Sequence, residues 1–242
     1  MTPPEPDAPE AMPRTAVVLL AAGEGRRVGA GRNKVLLPLL GSPVFTWSLR
    51  HALDLPGVTH LVLVIRPEDR PEIDAGLDLV ADDHPGAGIW IVSGGTTRHG
   101  SEWNALEVVA DAVDAGEVDV VAIHDTARPL AEVALFEAVV RAAHEHGGAL
   151  PVRALRALVP RRAGAALDSH LVGVQTPQAF AARPLLDAYR KAERDGFTGT
   201  DTASCVEEYT DLEIHCVPSP ATNIKITFPE DVALAERLLR RG

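Results

Sequence analysis

The chain has 242 residues, of which 46% are hydrophobic and 24% are charged, a composition typical of an α/β protein large enough to bury its own core. Its net charge of −11 at pH 7 disfavours a nucleic-acid-binding coat, because a negative field repels polyanions. Two cysteines, Cys205 and Cys216, indicate neither a disulfide framework nor a zinc site. No apolar run reaches the roughly 18 residues of a membrane-spanning helix, so we expect a soluble, cytoplasmic protein.

The first thirteen residues contain five prolines, three acids and no basic residue. This composition is typical of a disordered tail, and it lacks the cationic start of a signal peptide or transit helix. We therefore predict one domain over residues 14–242, preceded by an acidic, proline-rich tail over residues 1–13.

From residue 15 onward, short apolar segments alternate with longer segments of helical periodicity. Strands are predicted at 15–20, 60–65, 89–92, 118–124 and 214–217, and helices at 43–54, 101–115, 131–146 and 182–194. A last helix is predicted to start near Pro229, with acids in its first turn and arginines in its last. The alternation predicts an α/β fold with a doubly wound, mostly parallel sheet, from which residues 153–170 form an excursion.

A glycine-rich loop follows the first predicted strand, in the segment AAGEGRRVGAGRNK of residues 21–34. Small residues after a central strand bring backbone N–H groups close to a phosphate. The loop is not a dinucleotide fingerprint, because Val28 replaces the third glycine, and no P-loop lysine motif is present. No acid occurs between Glu24 and Asp54, so five cations stand together in an acidic chain. The loop predicts a nucleotide phosphate site, with a solvated basic loop as the structural alternative.

Six motifs follow one another along the chain: LAAGEGRR with Lys34 after it, SGGTTRHGS at 93–101, HDTARP at 124–129, QTPQAF at 175–180, GFTGTD at 196–201 and NIKIT at 223–227. Their order and spacing over residues 15–242 resemble the 2-C-methyl-D-erythritol 4-phosphate cytidylyltransferases and the related ribitol-phosphate cytidylyltransferases. The resemblance implies a Rossmann-like nucleotidyltransferase, usually a homodimer, that joins CTP to a polyol phosphate in the presence of Mg²⁺ and releases pyrophosphate. Methylerythritol phosphate, an isoprenoid precursor, is the leading acceptor.

The resemblance also implies roles for individual residues. It assigns Arg27, Lys34 and Lys225 to catalysis and Asp125 to the metal, with Arg26 as a surface neighbour. It assigns CTP binding to Ala21, Ala22, Gly23, Gly25, Gly94, Gly95, Arg98 and Ser101. It assigns acceptor binding to Arg128, Thr200 and Asp201.

The chemistry of such a transfer suits these residue types independently. The second pKa of a phosphate monoester is about 6, so the acceptor is already largely a nucleophile at neutral pH and needs no general base. Catalysis then consists of positioning and of stabilising negative charge with cations. Asp125 follows an apolar strand, which places it at the carboxyl edge of the sheet, where doubly wound folds bind ligands. The structural alternative is that Asp125 caps a turn and pairs with Arg128.

The chain departs from the family pattern on the acceptor side. Ala154, Leu155 and Asp168 stand where the pattern has polar and cationic residues that help to hold the acceptor, and Thr202 replaces an acid. Four nearby arginines are candidates to supply the missing cation: Arg153, Arg156, Arg161 and Arg162. The departure leaves open another acceptor, such as ribitol 5-phosphate or a phosphonate, or a CTP-binding homologue with a decayed acceptor site.

Four other interpretations concern histidines and a serine. The segment RHGSEWN resembles the signature of histidine phosphatases, in which His99 would carry the phosphate, although the acid expected after the glycine is missing. His124 is interpreted as a packed strand-end histidine, and Ser101 has a second interpretation as a helix cap. Residues 144–146 are interpreted as solvated charge, because residues two apart on a helix do not face each other.

Overall fold

Ten strands and seven helices lie within residues 11–23, 33–155 and 171–241, the parts of the chain that this computed structural model describes. The strands are β1 (Thr15–Leu20), β2 (Pro38–Leu39), β3 (Ser42–Pro43), β4 (Val58–Ile65), β5 (Ile89–Ser93), β6 (Val120–Asp125), β7 (Gly148–Ala154), β8 (Val172–Val174), β9 (Gln178–Ala181) and β10 (Ile214–Pro218). The helices are α1 (Val44–Leu53), α2 (Arg70–Ala81), α3 (Arg98–Asp114), α4 (Val133–His146), α5 (Ala182–Asp195), α6 (Thr202–Tyr209) and α7 (Pro229–Leu239).

The main sheet has the strand order β10-β7-β9-β6-β1-β4-β5, with β8 paired to β7. Strand β1 runs parallel to both of its neighbours, β4 and β6, and β4 runs parallel to β5. Strand β9 is antiparallel to β6 and β7. Leu20 pairs with Asp125 and Val64, so the carboxyl ends of the central strands meet at one edge.

Helices cover both faces of this sheet because successive side chains of a strand point to opposite faces. Val17 and Leu19 of β1 belong to a core built with α1, α2 and α4. Ala16 and Val18 belong to a second core built with α3, α5 and α6. Helix α7 packs separately against β2 and α1. This arrangement confirms the predicted α/β fold with a doubly wound, mostly parallel sheet.

All five predicted strands and all five predicted helices are present, with ends that differ by three residues or fewer. Helix α2 was not predicted, because its buried residues are only Ile73, Gly76 and Val80 and its apolar periodicity is therefore weak. Helix α6 was not predicted because it has eight residues and its start depends on a capping box between Asp201 and Ser204. The short strands β2, β3, β8 and β9 were not predicted either.

The described chain begins inside the stretch predicted to be a tail. Met12 packs against the core, and the carbonyl of Pro13 accepts a hydrogen bond from Thr15 Oγ1 at 2.9 Å. The predicted tail is therefore too long by these residues, and residues 1–10 lie outside the described part. Most of the predicted excursion, residues 156–170, also lies outside it. The single domain over residues 14–242 stays a prediction. Among the described helices, none combines the length and the apolar character that a membrane span requires.

Candidate functional site

A cavity of about 590 Å³ opens where the carboxyl ends of the central strands meet. Its walls come from the segments that follow β1, β4 and β5, together with the last residue of β6 and one residue of the 219–228 segment. The lining residues are Leu20, Ala22, Gly23, Lys34, Val35, Arg66, Pro67, Glu68, Gly94, Gly95, Thr96, Thr97, Arg98, Ser101, Asp125 and Lys225. Nine of the predicted site residues are thus brought together at the edge that the sequence analysis indicated.

The loops after β1 and β5 lie in direct contact. A Cβ atom added at Gly94 would lie 2.4 Å from Cβ of Ala22, so only glycine allows this approach. Ser101 Oγ donates to the carbonyl of Thr97 at 2.9 Å and accepts from Gly95 N at 3.0 Å. Thr97, and not Ser101, is the N-cap of α3, so the capping interpretation of Ser101 is wrong. Ser101 instead holds the 94–97 loop against the helix.

Lys34 enters the cavity from a short helical turn that a buried amide organises. Asn33 Nδ2 donates to the carbonyl of Ala21 and to Asp69 Oδ2, both at 2.7 Å. Asn33 Oδ1 accepts from Val35 N at 3.3 Å and caps the turn. Ala21 is therefore a support of the cavity and does not line it. Gly25, Arg26 and Arg27 lie outside the described residues.

Asp125 is the buried acid of the cavity and lies among cations. Its Oδ2 is 2.5 Å from Nζ of Lys225, and its Oδ1 accepts from Ala127 N at 3.0 Å. Burial by itself would raise the pKa of Asp125, but the charges of Lys225, Lys34 and Arg98 hold that pKa well below its ordinary value. Asp125 is therefore ionised at neutral pH. The alternative for Asp125 is thus half right: its side chain caps the turn at Ala127, but its ion-pair partner is Lys225 and not Arg128.

The number of carboxylates in the cavity indicates which kind of metal ion could bind there. No group of three His, Cys, Asp or Glu side chains capable of holding a metal occurs among the described residues. One ionised carboxylate does fit Mg²⁺, which keeps several waters and takes other ligands from substrate phosphates.

Arg98 lines the cavity from the first turn of α3 and is held by a buried carboxylate. Its Nε donates to Glu102 Oε1 at 2.9 Å, and Glu102 is fully buried. Burial raises the pKa of Glu102, and the charge of Arg98 opposes that rise. Tyr189 and Thr202 donate to the same carboxylate. Thr202, which stands where the family pattern has an acid, thus contacts an acid supplied by α3.

The predicted acceptor residues do not line the cavity. Arg128 is half-buried and donates through Nη1 to the carbonyl of Asn223 at 2.9 Å, which ties the end of β6 to the segment that carries Lys225. Asp201 is the N-cap of α6, and Thr200 N donates to Ser204 Oγ at 3.0 Å.

The compensating arginines remain largely outside the described structure. Arg153 is exposed on β7, with its Nη1 at 3.4 Å from the carbonyl of Ala221. It does not line the cavity. Arg156, Arg161, Arg162 and Asp168 lie outside the described residues, so the predicted compensation stays a prediction.

The two histidines of the motifs are both buried. His124 lies between Thr176 Oγ1, at 3.1 Å from Nδ1, and Ser48 Oγ, at 3.3 Å from Nε2, and burial lowers its pKa to about 3. This confirms its interpretation as a packed histidine. His99 stacks on the ring of Tyr189 with centroids 4.5 Å apart. The His99 ring is only 3% exposed, so a phosphate group cannot reach it and it cannot act as the nucleophile.

The segment after β4 belongs to the site although it was not predicted from the sequence. Arg66, Pro67 and Glu68 line the cavity, and Arg66 donates to Asp69 at 2.6 and 2.8 Å. The available signal was their position, since they follow a buried strand next to β1.

Comparison with known proteins identifies the family. A sequence model of 2-C-methyl-D-erythritol 4-phosphate cytidylyltransferase matches residues 15–241. The chain belongs to the 2-C-methyl-D-erythritol 4-phosphate cytidylyltransferase family. Family members named for this activity include those of Bacillus pumilus (strain SAFR-032), 34% identical over 92% of this chain and 96% of the relative, and Solibacter usitatus (strain Ellin6076), 35% identical over 94% and 96%.

Solved structures of the family have the same fold. The 4-diphosphocytidyl-2C-methyl-D-erythritol synthase from Anaerococcus prevotii superposes with a TM-score of 0.77 at 25% identity, covering 94% of this chain and 96% of the other. The 2-C-methyl-D-erythritol 4-phosphate cytidylyltransferase from Thermus thermophilus gives 0.71 at 27% identity, with 96% and 100% covered.

Membership of this family confirms the predicted resemblance and reaction class. The chain is a cytidylyltransferase, a nucleotidyltransferase of the isoprenoid pathway, and the histidine phosphatase alternative is wrong.

Proposed function

We propose that this cavity transfers the cytidylyl group of CTP to 2-C-methyl-D-erythritol 4-phosphate. The observation that carries the proposal is the set of cations, Lys34, Lys225 and Arg98, placed around one ionised carboxylate next to the contact between the loops after β1 and β5. Such a cavity suits an anionic nucleotide better than a neutral ligand. The names of the relatives support the choice of acceptor.

The reaction forms one bond and breaks one. An oxygen of the acceptor phosphate attacks the α-phosphorus of CTP, the bond from that phosphorus to the oxygen shared with the β-phosphorus breaks, and pyrophosphate leaves. Lys34 and Lys225 stabilise the negative charge that grows on the equatorial and leaving oxygens. The loops at 21–23 and 94–97 orient the nucleotide.

Asp125 would hold a divalent cation, with Mg²⁺ as the proposed ion. When bound, this ion neutralises phosphate charge. Lys225 lies 2.5 Å from Asp125 Oδ2, so its ammonium group is beside the carboxylate that would hold the cation. We assign this ammonium group to the reacting phosphate oxygens, whose negative charge it would stabilise.

We also propose that the protein is a cytoplasmic homodimer, with β7 and β8 at the interface. Four apolar side chains on or beside these strands are 39–47% exposed: Leu155, Leu171, Val172 and Val174. An exposed apolar patch of this kind is typical of an association surface. A second copy of the chain is the occupant that we propose.

Pyrophosphate release from CTP and a panel of acceptors tests the function. We expect turnover with methylerythritol phosphate to exceed turnover with ribitol 5-phosphate or a phosphonate by at least about 100-fold, since correct positioning of the acceptor carries the rate. Preference for another polyol phosphate would overturn the acceptor assignment, and CTP binding without any turnover would indicate a decayed acceptor site.

Thermal stabilisation tests the nucleotide and the metal. We expect CTP with Mg²⁺ to raise Tm more than ATP or NAD at equal concentration, through ligand linkage. Asp125→Asn should remove the increment that Mg²⁺ adds, whereas Asp78→Asn, at an exposed position of α2, should keep it. Greater stabilisation by NAD, or an unchanged increment in Asp125→Asn, would contradict the assignment.

A further inference from the structure

A buried carboxylate on α3 connects the nucleotide cavity to the start of α6. Glu102 lies one helical turn after Arg98 and is fully buried. Three donors converge on it: Arg98 Nε at 2.9 Å and Thr202 Oγ1 at 3.1 Å, both on Oε1, and the hydroxyl of Tyr189 on Oε2. A carboxylate that only accepts hydrogen bonds is suited to all three.

On one side, Glu102 holds Arg98 with a donor still unused. Arg98 lines the cavity, and its Nη2 is buried with no hydrogen-bond partner among the residues that the structure describes. Because Arg98 lines the cavity, the guanidinium that Glu102 holds through Nε brings its positive charge to the wall of the nucleotide site.

On the other side, Glu102 holds the first residue of α6. Thr202 follows directly on Thr200 and Asp201, the residues proposed for the acceptor, and is itself fully buried. Asp201 caps α6 through Ser204 N at 3.0 Å and accepts from Gln178 Nε2 at 3.1 Å. The position of this loop therefore depends on the contact of Asp201 with Gln178 and on the contact of Thr202 with Glu102. Of these two partners, Glu102 also contacts Arg98 on the nucleotide side.

We propose that Glu102 is a positioning residue. It couples the nucleotide side of the site to the acceptor loop, the segment that carries Thr200 and Asp201. The acceptor half of this inference rests on the proposed function, since it takes Thr200 and Asp201 as acceptor contacts. Tyr189 donates its hydroxyl to the other carboxylate oxygen of Glu102, Oε2. It neither lines the cavity nor belongs to the acceptor loop, so it is a matched internal control.

Three variants separate coupling from packing: Glu102→Gln, Thr202→Val and Tyr189→Phe. Each is close in shape to the native residue, so each removes charge or a hydrogen bond with little change in volume. The readouts are Tm, the Kd of CTP with Mg²⁺ in the absence of acceptor, and the acceptor KM in pyrophosphate release.

Glu102→Gln is expected to raise the Kd of CTP by at least about tenfold, because it leaves Arg98 without its charged partner. It is also expected to raise the acceptor KM about threefold, because a neutral amide accepts a weaker hydrogen bond from Thr202 than a carboxylate does. Thr202→Val is expected to raise the acceptor KM about fivefold while the Kd of CTP stays within about twofold, since it removes one hydrogen bond to a charged group on the α6 side. Tyr189→Phe is expected to lower Tm while leaving both constants within about twofold.

The proposal is overturned if all three variants lower Tm alike and leave both constants unchanged, or if Thr202→Val and Tyr189→Phe have the same kinetic effect. If Glu102→Gln does not fold, the difference between the other two variants still decides the matter. If the wild type turns over no methylerythritol phosphate, the proposed function fails, but the effect of Glu102→Gln on the Kd of CTP still tests the nucleotide half separately.

Discussion

At the scale of single residues, the site places three cations around one buried acid. Asp125 pairs with Lys225 at 2.5 Å, and Lys34 and Arg98 act on the same carboxylate through their charges. Because the acid is buried, these interactions are screened less than surface pairs would be. The arriving nucleotide therefore meets positive charge that is already in place.

Replacement of Lys34 tests whether this charge drives the chemistry. Lys34→Ala should lower kcat by at least about 100-fold, because it removes a cation that stabilises the transition state. Lys191→Ala, at an exposed lysine on α5, should retain wild-type turnover. Steady-state kinetics with unfolding curves for both variants make the comparison. Near-wild-type turnover in Lys34→Ala would remove that residue from the site.

His124 makes stability depend on pH in a predictable direction. Burial lowers its pKa from 6.5 to about 3, so between these values the unfolded chain binds a proton that the folded protein excludes. The contribution of His124 to the free energy of unfolding is thus complete above pH 6.5 and is lost as the pH falls. The expected loss is about 2 kcal/mol by pH 5.

The variant His124→Gln isolates this effect from the other histidines. Urea unfolding of both proteins at pH 7.5, 6.5, 5.5 and 5 gives the difference that belongs to residue 124. We expect the wild type to lose more stability than the variant over this range. Parallel curves would mean that the pKa of His124 is the same in the folded and unfolded states.

At the scale of elements, the site depends on how closely the loops after β1 and β5 approach each other. Gly94 N donates to the carbonyl of Ile65 at 2.8 Å, and Ala21 N donates to the carbonyl of Val64 at 2.8 Å. Both loops are thus attached to β4, the strand between them. The gap that remains between Gly94 and Ala22 is too narrow for one more carbon atom.

A methyl group at position 94 should separate these loops. Gly94→Ala places a Cβ 2.4 Å from that of Ala22, so the backbone must move, and we expect CTP affinity to fall at least about tenfold. Gly88→Ala is the matched control, because nothing lies within 4 Å of a Cβ at that position. Calorimetric titration of both variants with CTP and Mg²⁺ measures the effect. Equal affinities would show that the loops adjust without cost to binding.

At the scale of the whole molecule, four apolar side chains on or beside β7 and β8 are exposed in a single copy of the chain. Val152, Arg153 and Ala154 of β7 pair with β8 in antiparallel register. The paired strands lie near the 219–223 segment, to which Arg153 donates. An interface formed there would adjoin the segment that carries Lys225.

A charge placed in this patch should prevent dimer formation. Val174→Asp puts an acid on a side chain that is 44% exposed on β8, and we expect a monomer by light scattering where the wild type is a dimer. Leu79→Asp, on α2 and 52% exposed, should leave the dimer intact. A dimeric Val174→Asp would exclude this surface, and a monomeric wild type would exclude the homodimer.

The amino-acid sequence by itself determined the α/β fold, five central or edge strands and the edge of the sheet that carries the site. Buried strands are readable because apolar, β-branched segments are a local signal, and the carboxyl ends of parallel strands meet at one edge whatever the rest of the chain does. Lys34, Asp125 and Lys225 follow from that rule and from the motifs, and the structure brings all three into one cavity.

Only the tertiary structure decided how these residues are held. Arg98 and Glu102, four apart on a helix, have the spacing of a surface ion pair, and their burial depends on α5 and α6 packing over them. The closeness of Gly94 to Ala22 and the pairing of Asp125 with Lys225 join segments 72 and 100 residues apart. Such contacts depend on strand order and helix packing. No local sequence pattern encodes that order or packing, because both result from the burial of apolar surface by all the elements together.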